Sequence, residues 1–200
     1  MRIAVDAMGG DTGPRVVVPG AIDAAKARPG ELKLLLVGRE EEIRPLVSDV
    51  DPDWVEIVHA SENIEMNEAP AQAIRSKKDS SIGVALRMIR EGRADAMVSA
   101  GNTGAVVAGS LLTIGRLHGV SRPAISTLWP NKQRGAVVLD VGANHECTPK
   151  NLVQFAVMGS VFARYHAGVE RPRVGLLNIG EEKSKGNDLV RESHALLEKD

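Results

Sequence analysis

The chain opens with the stretch MRIAVDAMGGD, residues 1–11, in which a short apolar run enters a turn that contains Gly9 and Gly10. Residues 3–5 have the composition of a buried strand, and paired glycines let the backbone turn sharply after it. Apolar runs that end at glycine or at polar residues recur along the chain. The further predicted strands are residues 32–37, 54–58, 96–98, 124–128, 136–141 and 174–179.

Segments with apolar residues three and four positions apart lie between several of these runs. This helical spacing covers residues 16–25, 84–89, 105–114, 151–163 and 189–199. Strands that alternate with helices predict an α/β fold, with a mostly parallel sheet and helices on both of its faces. We expect a single domain over residues 1–200. The last helical pattern has no stop signal after it, so a longer protein is expected.

Composition excludes several classes of function. The chain has 25 Lys and Arg against 26 Asp and Glu, and its aromatic content is 2%. It therefore lacks the basic field and the stacking residues with which proteins bind nucleic acids. Cys147 is the only cysteine, and no run of residues is apolar enough for a membrane span. These features predict a cytoplasmic protein that does not bind nucleic acid.

Ligands of open α/β sheets bind beyond the carboxyl ends of the strands, so polar strand ends are candidate sites. After the first strand, Gly9 and Gly10 would let backbone approach a ligand. Asp6 and Asp11 supply carboxylates beside them. The alternative is a tight turn in which Asp11 or Thr12 caps the next helix.

A second candidate is SAGNTGA, residues 99–105, which follows a predicted strand and leads into an apolar helix. A glycine-flanked helix start presents free backbone N–H groups and partial positive charge, which favours anion binding at Gly101 to Gly104. The alternative is that Asn102 or Thr103 only caps the helix.

Two more strand ends are polar. DVGAN, residues 140–144, precedes Cys147 and the helix start at Thr148 and Pro149. No histidine marks a base for Cys147, so a buried structural thiol is favoured over a nucleophile. NIGEEKSKG, residues 178–186, holds two lysines and two glutamates, which indicates either a phosphate site or a solvated charged loop.

The usual cofactor motifs are missing from the sequence. Neither G-x-G-x-x-G after a strand nor G-x-x-x-x-G-K-[ST] occurs, and the five histidines have no zinc-binding spacing. We therefore predict no cofactor and no metal. The spacing of residues alone indicates an anion-binding α/β enzyme.

Residues 1–11, 99–105, 138–164 and 176–189 together closely resemble the bacterial phosphate acyltransferases of phospholipid synthesis, in matching order and spacing. The resemblance implies transfer of a long-chain acyl group from acyl-acyl carrier protein to inorganic phosphate, which gives acyl phosphate. It also implies homodimers and a fold related to phosphate acetyltransferases and to isocitrate and isopropylmalate dehydrogenases. Members continue beyond residue 200, with an apolar helical region that touches the membrane in some of them.

This chemistry requires donors that place phosphate in line with a thioester carbonyl and stabilise the developing oxyanion. The residues predicted to be catalytic are Lys183, Lys185, Asn144 and Asn178. The residues predicted to bind phosphate are Asp6, Gly9, Gly10, Asp11, Gly101, Asn102, Thr103, Gly104, Glu181 and Glu182. We expect their turns to converge on one pocket. Two other functions stay open: a dehydrogenase relative that binds a phosphorylated cofactor, and an inactive fragment that binds carrier protein.

Overall fold

The computed structural model describes residues 1–132, 135–182 and 185–199. The chain divides into two compact units, Met1–Gly115 and Arg116–Asp200, and each is described by itself. Our expectation that residues 1–200 form a single domain stays a prediction.

The first unit contains a four-stranded parallel sheet with the strand order β3-β2-β1-β4. Its strands are β1 (Arg2–Asp6), β2 (Lys33–Gly38), β3 (Val55–His59) and β4 (Ala96–Ser99). Each lies within one or two residues of the predicted apolar run. The central strand β1 pairs with β2 on one side and β4 on the other, so Asp6 is opposite both Val37 and Ser99.

Helices cover both faces of this sheet, which confirms the prediction. They are α1 (Pro14–Lys26), α2 (Glu40–Ile43), α3 (Pro70–Ser76), α4 (Ser81–Arg90) and α5 (Thr103–Thr113). Alternate residues of a strand point to opposite faces. Accordingly, Leu36 packs in a cluster with Ile22 of α1, whereas Leu35 packs in a cluster with Met88 of α4.

The second unit contains an antiparallel pair, β5 (Ser126–Trp129) and β6 (Ala136–Leu139), and two helices, α6 (Pro149–His166) and α7 (Asp188–Leu197). The predicted start of α6 is confirmed. The Thr148 side chain accepts a hydrogen bond from the Asn151 backbone N–H, and Asn151 accepts one from the Thr148 N–H in return. None of the helices in the described ranges is long and apolar enough to cross a membrane.

The predicted strand over residues 174–179 is wrong. This segment has no regular secondary structure, and Leu177 and Ile179 are 91% and 87% exposed. An apolar run forms a strand only where a neighbouring strand satisfies its backbone N–H and C=O groups. No strand of the described residues pairs with this segment.

Candidate functional site

The carboxyl ends of β1 and β4 meet at one edge of the parallel sheet, as predicted. Asp6 is 1% exposed, and its Oδ2 accepts a hydrogen bond from Ser99 Oγ at 2.6 Å. Ser99 Oγ in turn accepts one from the Gly101 backbone N–H at 3.1 Å. The second oxygen, Asp6 Oδ1, is buried and has no hydrogen-bond partner among the described residues. Ser99 therefore fixes this carboxylate and leaves one oxygen as an unused acceptor.

Gly9 and Gly101 bring the two turns into close contact. A Cβ atom added at Gly9 would lie 2.7 Å from both the Gly101 nitrogen and Asp6 Oδ2. Gly10 has a φ of +79°, a conformation that favours glycine. Gly104 lies against Pro70, since its added Cβ would be 2.5 Å from Pro70 Cγ. The structure thus gives Gly9, Gly101 and Gly104 a packing role.

Both the oxygen and the nitrogen of the Asn102 side-chain amide make hydrogen bonds within the first unit. Its Oδ1 accepts from the Ala105 N–H at 3.0 Å and so caps α5. Its Nδ2 donates to the carbonyl oxygens of Glu65, Met66 and Glu68 at 3.1–3.3 Å. Asn102 therefore caps α5, as the alternative predicted, and in addition joins the start of α5 to the loop before α3. Its role as a phosphate ligand stays a prediction.

The acidic loop joined by Asn102 is held by further polar contacts. Lys77 Nζ donates to the Asn63 carbonyl oxygen at 2.7 Å and to Glu68 Oε1 at 2.5 Å. This lysine, together with the Glu65 backbone N–H, holds the pKa of the Glu68 carboxyl below its usual range. The loop is therefore a fixed part of the same sheet edge.

Asp11 and Thr103 are exposed at this edge. The alternative that Asp11 or Thr12 caps α1 is wrong, because the N-cap residue is Gly13. Gly13 has a φ of +56° and no side chain with which to cap. Neither Asp11 nor Thr103 makes a side-chain hydrogen bond to another described residue, so both side chains are available to a ligand.

In the second unit, Asn144 belongs to a closed turn after β6. Asp140 accepts hydrogen bonds from the Ala143 and Asn144 backbone N–H groups, each at 2.9 Å. Asn144 Nδ2 donates to Asp140 Oδ2 at 3.0 Å and to the Pro123 carbonyl at 2.8 Å. Because these bonds use both amide hydrogens, the predicted donation from Asn144 to phosphate would require one to break.

Cys147 lies near the same turn. Burial and, to a smaller extent, the negative charge of Asp140 raise the pKa of its thiol above the ordinary value, against the opposing effect of Arg122. A thiol whose pKa is raised is a poor nucleophile at neutral pH. The structural interpretation of Cys147 is therefore favoured.

The charged loop after residue 176 lines a cavity of about 740 Å³ together with α7. The predicted site residues Asn178, Glu181, Glu182 and Lys185 all line it. No carboxylate of the described residues lies within ion-pair distance of Lys185. Lys183 lies outside the described residues.

Two cationic side chains of this cavity, Arg191 and His194, were missed by the sequence analysis. Both lie on α7, with Glu198 just beyond it. Arg191 Nη1 donates to the Gly186 carbonyl at 2.7 Å and its Nη2 pairs with Asp188, while His194 Nδ1 lies 3.7 Å from Glu198 Oε1. The sequence carries a signal for this grouping, because positions 191, 194 and 198 lie on one face of a helix.

Most of the predicted site residues that the structure describes lie in one of two places, each within one unit, whereas Asn144 does not line the cavity of the second unit. Asp6 and the two glycine turns meet at the sheet edge of the first unit, and the 178–185 loop lines a cavity of the second. Their convergence on one pocket stays a prediction. Within the described parts of the chain, no group of three or more His, Cys, Asp or Glu side chains is arranged to hold a metal ion.

Two solved structures are similar to this chain in fold. The EutD phosphotransacetylase from Staphylococcus aureus has a TM-score of 0.68 and 20% identity, over 100% of this chain and 64% of that one. A branched-chain phosphotransacylase from Enterococcus faecalis V583 has a TM-score of 0.50 and 13% identity, over 82% of this chain and 51% of that one.

The curated relatives are closer in sequence. A protein named phosphate acyltransferase from Heliobacterium modesticaldum is 53% identical in an alignment 200 residues long, which covers 98% of this chain and 59% of the relative. Another of that name, from Desulfitobacterium hafniense strain Y51, is 50% identical over 100% of this chain and 59% of its own length. The chain thus spans about 59% of these relatives. The sequence profile described as "Fatty acid synthesis protein" matches residues 1–200, so the chain belongs to the fatty acid synthesis protein family.

Proposed function

We propose that this chain is the phosphate-binding part of a phosphate acyltransferase, which moves a long-chain acyl group from acyl-acyl carrier protein to inorganic phosphate. The names of relatives at about half identity support this activity. The observation that carries it is the cavity of the second unit, where Lys185, Arg191 and His194 lie around one space with the predicted loop.

The cavity has the chemistry that a phosphate dianion needs. Lys185 and Arg191 supply permanent positive charge, and His194 adds a third cation when it is protonated. Arg191 also fixes the loop through the Gly186 carbonyl, so the loop is held before the ligand arrives. Glu181 and Glu182 are acceptors for the proton of monohydrogen phosphate.

In the proposed step, a phosphate oxygen attacks the thioester carbonyl carbon and a C–O bond forms. The carbonyl oxygen becomes an oxyanion that a lysine ammonium, Lys185 or Lys183, stabilises. The C–S bond then breaks, the carbonyl reforms, and the carrier thiolate takes up the proton that phosphate loses. The products are acyl phosphate and free carrier protein, with no redox change.

The sheet edge of the first unit carries the other residues that we propose for phosphate binding. Asp6 Oδ1 is a fixed acceptor without a partner among the described residues, and Asp11 and Thr103 are exposed beside it. We propose that Asp6 and Asp11 accept a proton from phosphate. Gly9, Gly10, Gly101 and Gly104 let the surrounding backbone approach, and Asn102 holds the adjacent loop.

Further properties extend this proposal to the whole protein. We propose that it is a cytoplasmic homodimer with a sheet related to that of isocitrate and isopropylmalate dehydrogenases. Membrane contact, where it occurs, is assigned to a part that this chain does not include. Acyl-acyl carrier protein and inorganic phosphate are the proposed partners, and no cofactor is assigned.

The experiment mixes the chain with palmitoyl-acyl carrier protein and inorganic phosphate and follows free carrier thiol with a chromogenic disulfide. We expect thiol release only when phosphate is present. Replacing Lys185 with alanine should lower turnover by about 100-fold, the usual loss for one oxyanion or phosphate donor. Lys183→Ala tests the neighbouring lysine in the same way.

The matched control is Lys150→Ala, at an exposed lysine of α6 that does not line the cavity. This variant should keep full turnover. Absence of phosphate-dependent thiol release from the parent chain would overturn the proposed function. Unchanged kinetics in both Lys183 and Lys185 variants would remove the lysines from the mechanism, and saturable NADH binding would favour the dehydrogenase alternative.

A further inference from the structure

The second unit contains another opening, an apolar groove of about 710 Å³. It is lined by the β5–β6 pair, by α6, by the irregular segment after residue 171 and by the first turn of α7. Its volume lies within the range of sites that enclose a small organic ligand. Apart from Asn144, which lines it, the described residues proposed for the phosphate chemistry lie outside this groove.

The groove lining is mostly aliphatic. From β6 it has Val137 and Leu139, and Phe155 is its only aromatic residue among the described ones. Where α6 faces it, the helix presents Ala156 and Gly159, whose small side chains leave room for an occupant. The aliphatic part of this surface would stabilise a hydrocarbon chain, because every buried methylene contributes to affinity. The lining also includes polar side chains, at Asn131, Asp140, Asn144, His145 and Arg173.

The groove and the charged cavity share three lining residues. Leu176, Leu177 and Val190 line both openings. A ligand that occupies both would therefore have a long apolar part on one side of these residues and an anionic group near Lys185 and Arg191 on the other. An acyl phosphate has this division of polarity.

We propose that the groove binds the hydrocarbon chain of the acyl substrate and that Leu176, Leu177 and Val190 mark the point where chain and phosphate group meet. The assignment rests on the proposed function, since the acyl group is the substrate that the names of the relatives imply. It adds a site for the acyl chain, which none of the predicted phosphate contacts provides. The exposure of Leu177, 91% in the free chain, falls when the acyl chain covers it.

The test measures fatty-acid binding, which does not require turnover. The 200-residue chain is titrated with cis-parinaric acid, a fluorescent polyene fatty acid, which is then displaced by octanoic, dodecanoic and hexadecanoic acids. We expect saturable binding at one site. Affinity should rise about fourfold for each added methylene that the groove buries, as follows from burying one CH₂ group.

A pair of neighbouring substitutions locates the site. Ala156→Phe fills the groove from α6, whereas Val157→Phe places the same side chain on the adjacent, exposed face of the same helix. We expect the first to weaken hexadecanoate binding at least tenfold and the second to leave it unchanged. Circular dichroism and thermal unfolding of both variants confirm that they fold. Hexadecanoate should also slow alkylation of Cys147, which lines the groove, in the parent chain.

Equal effects of the two phenylalanines, or affinity that does not depend on chain length, would overturn the assignment. So would a change of molecular mass in Ala156→Phe by light scattering, because it would identify a second copy of the chain as the occupant. The outcomes also separate the two proposals. Hexadecanoate binding without phosphate-dependent thiol release keeps the groove and removes the activity, and the reverse result keeps the activity and removes the groove.

Discussion

The strand ends of the first unit and the loop after residue 176 in the second unit differ in how far their polar side chains are already bonded. In Met1–Gly115, Asp6, Ser99 and Asn102 bond to one another or to neighbouring backbone, and glycines pack against them. In Arg116–Asp200, Lys185 lines an open cavity that shares three lining residues with a neighbouring, mostly aliphatic groove. Glycine-rich turns alone therefore do not identify a binding surface. What distinguishes the loop of the second unit is a lysine, Lys185, that has no carboxylate of the described residues within ion-pair distance.

The largest effect on stability is expected at Gly9, where the two turns of the first unit are in contact. In Gly9→Ala the new Cβ would meet the Gly101 nitrogen and Asp6 Oδ2, each at 2.7 Å, so backbone must move. We expect the free energy of unfolding to fall by about 3 kcal/mol, as in overpacked cores. Urea denaturation followed by circular dichroism measures this change.

Gly20→Ala is the matched control, because Gly20 lies in α1 and its added Cβ meets nothing within 4 Å. Alanine there should raise stability by about 1 kcal/mol through helix propensity. A loss at Gly9 no larger than the change at Gly20 would show that the turns of the first unit are not closely packed.

The next largest effect is expected at Asn102, and Asn187 provides the comparison between units. Both cap a helix, but Asn102 also donates to three loop carbonyls, whereas Asn187 only accepts from the Val190 N–H. Replacement of Asn102 by alanine should cost about 2 kcal/mol, because α5 loses its cap and three partly buried loop carbonyls lose their donor. Asn187→Ala should cost about 1 kcal/mol.

Equal losses in the two alanine variants of the same urea experiment would mean that the bonds to the loop add nothing to the cap. Asn102→Asp gives a further check. Aspartate keeps the oxygen that caps α5 but lacks the Nδ2 donor. The free energy of unfolding should therefore fall only by the contribution of the bonds to the loop.

Local pattern predicted most of the regular structure because each element carries its own signal. The strand β1 is an apolar run before glycine, and α6 begins at Thr148 and Pro149 as capping chemistry requires. The strand expected over 174–179 failed because strand formation depends on a neighbour that local sequence does not encode. Likewise, the partners of Asn102 and the cavity face of Arg191 depend on residues brought together by the fold.

The smallest expected effect lies at the opposite, amino-terminal edge of the parallel sheet. There the Arg2 side chain and backbone N–H donate to Asp95 at 2.8 and 2.7 Å, which lowers the pKa of the Asp95 carboxyl from 3.8 to about 2. The unfolded chain therefore binds the proton first as the solution is acidified. This contribution to stability is complete above about pH 4 and is lost as the pH falls through about 2.

The slope of unfolding free energy against pH between 4 and 2, measured by urea denaturation, should become shallower in Asp95→Asn. Asp49→Asn, at an exposed aspartate outside the sheet, should keep the slope of the parent chain. A slope unaffected by Asp95→Asn would show that Arg2 gives this edge no ionic contribution. In that case the bond from Ser99 to Asp6, at the other edge of the sheet, would be the remaining side-chain hydrogen bond between β1 and β4 among the described residues.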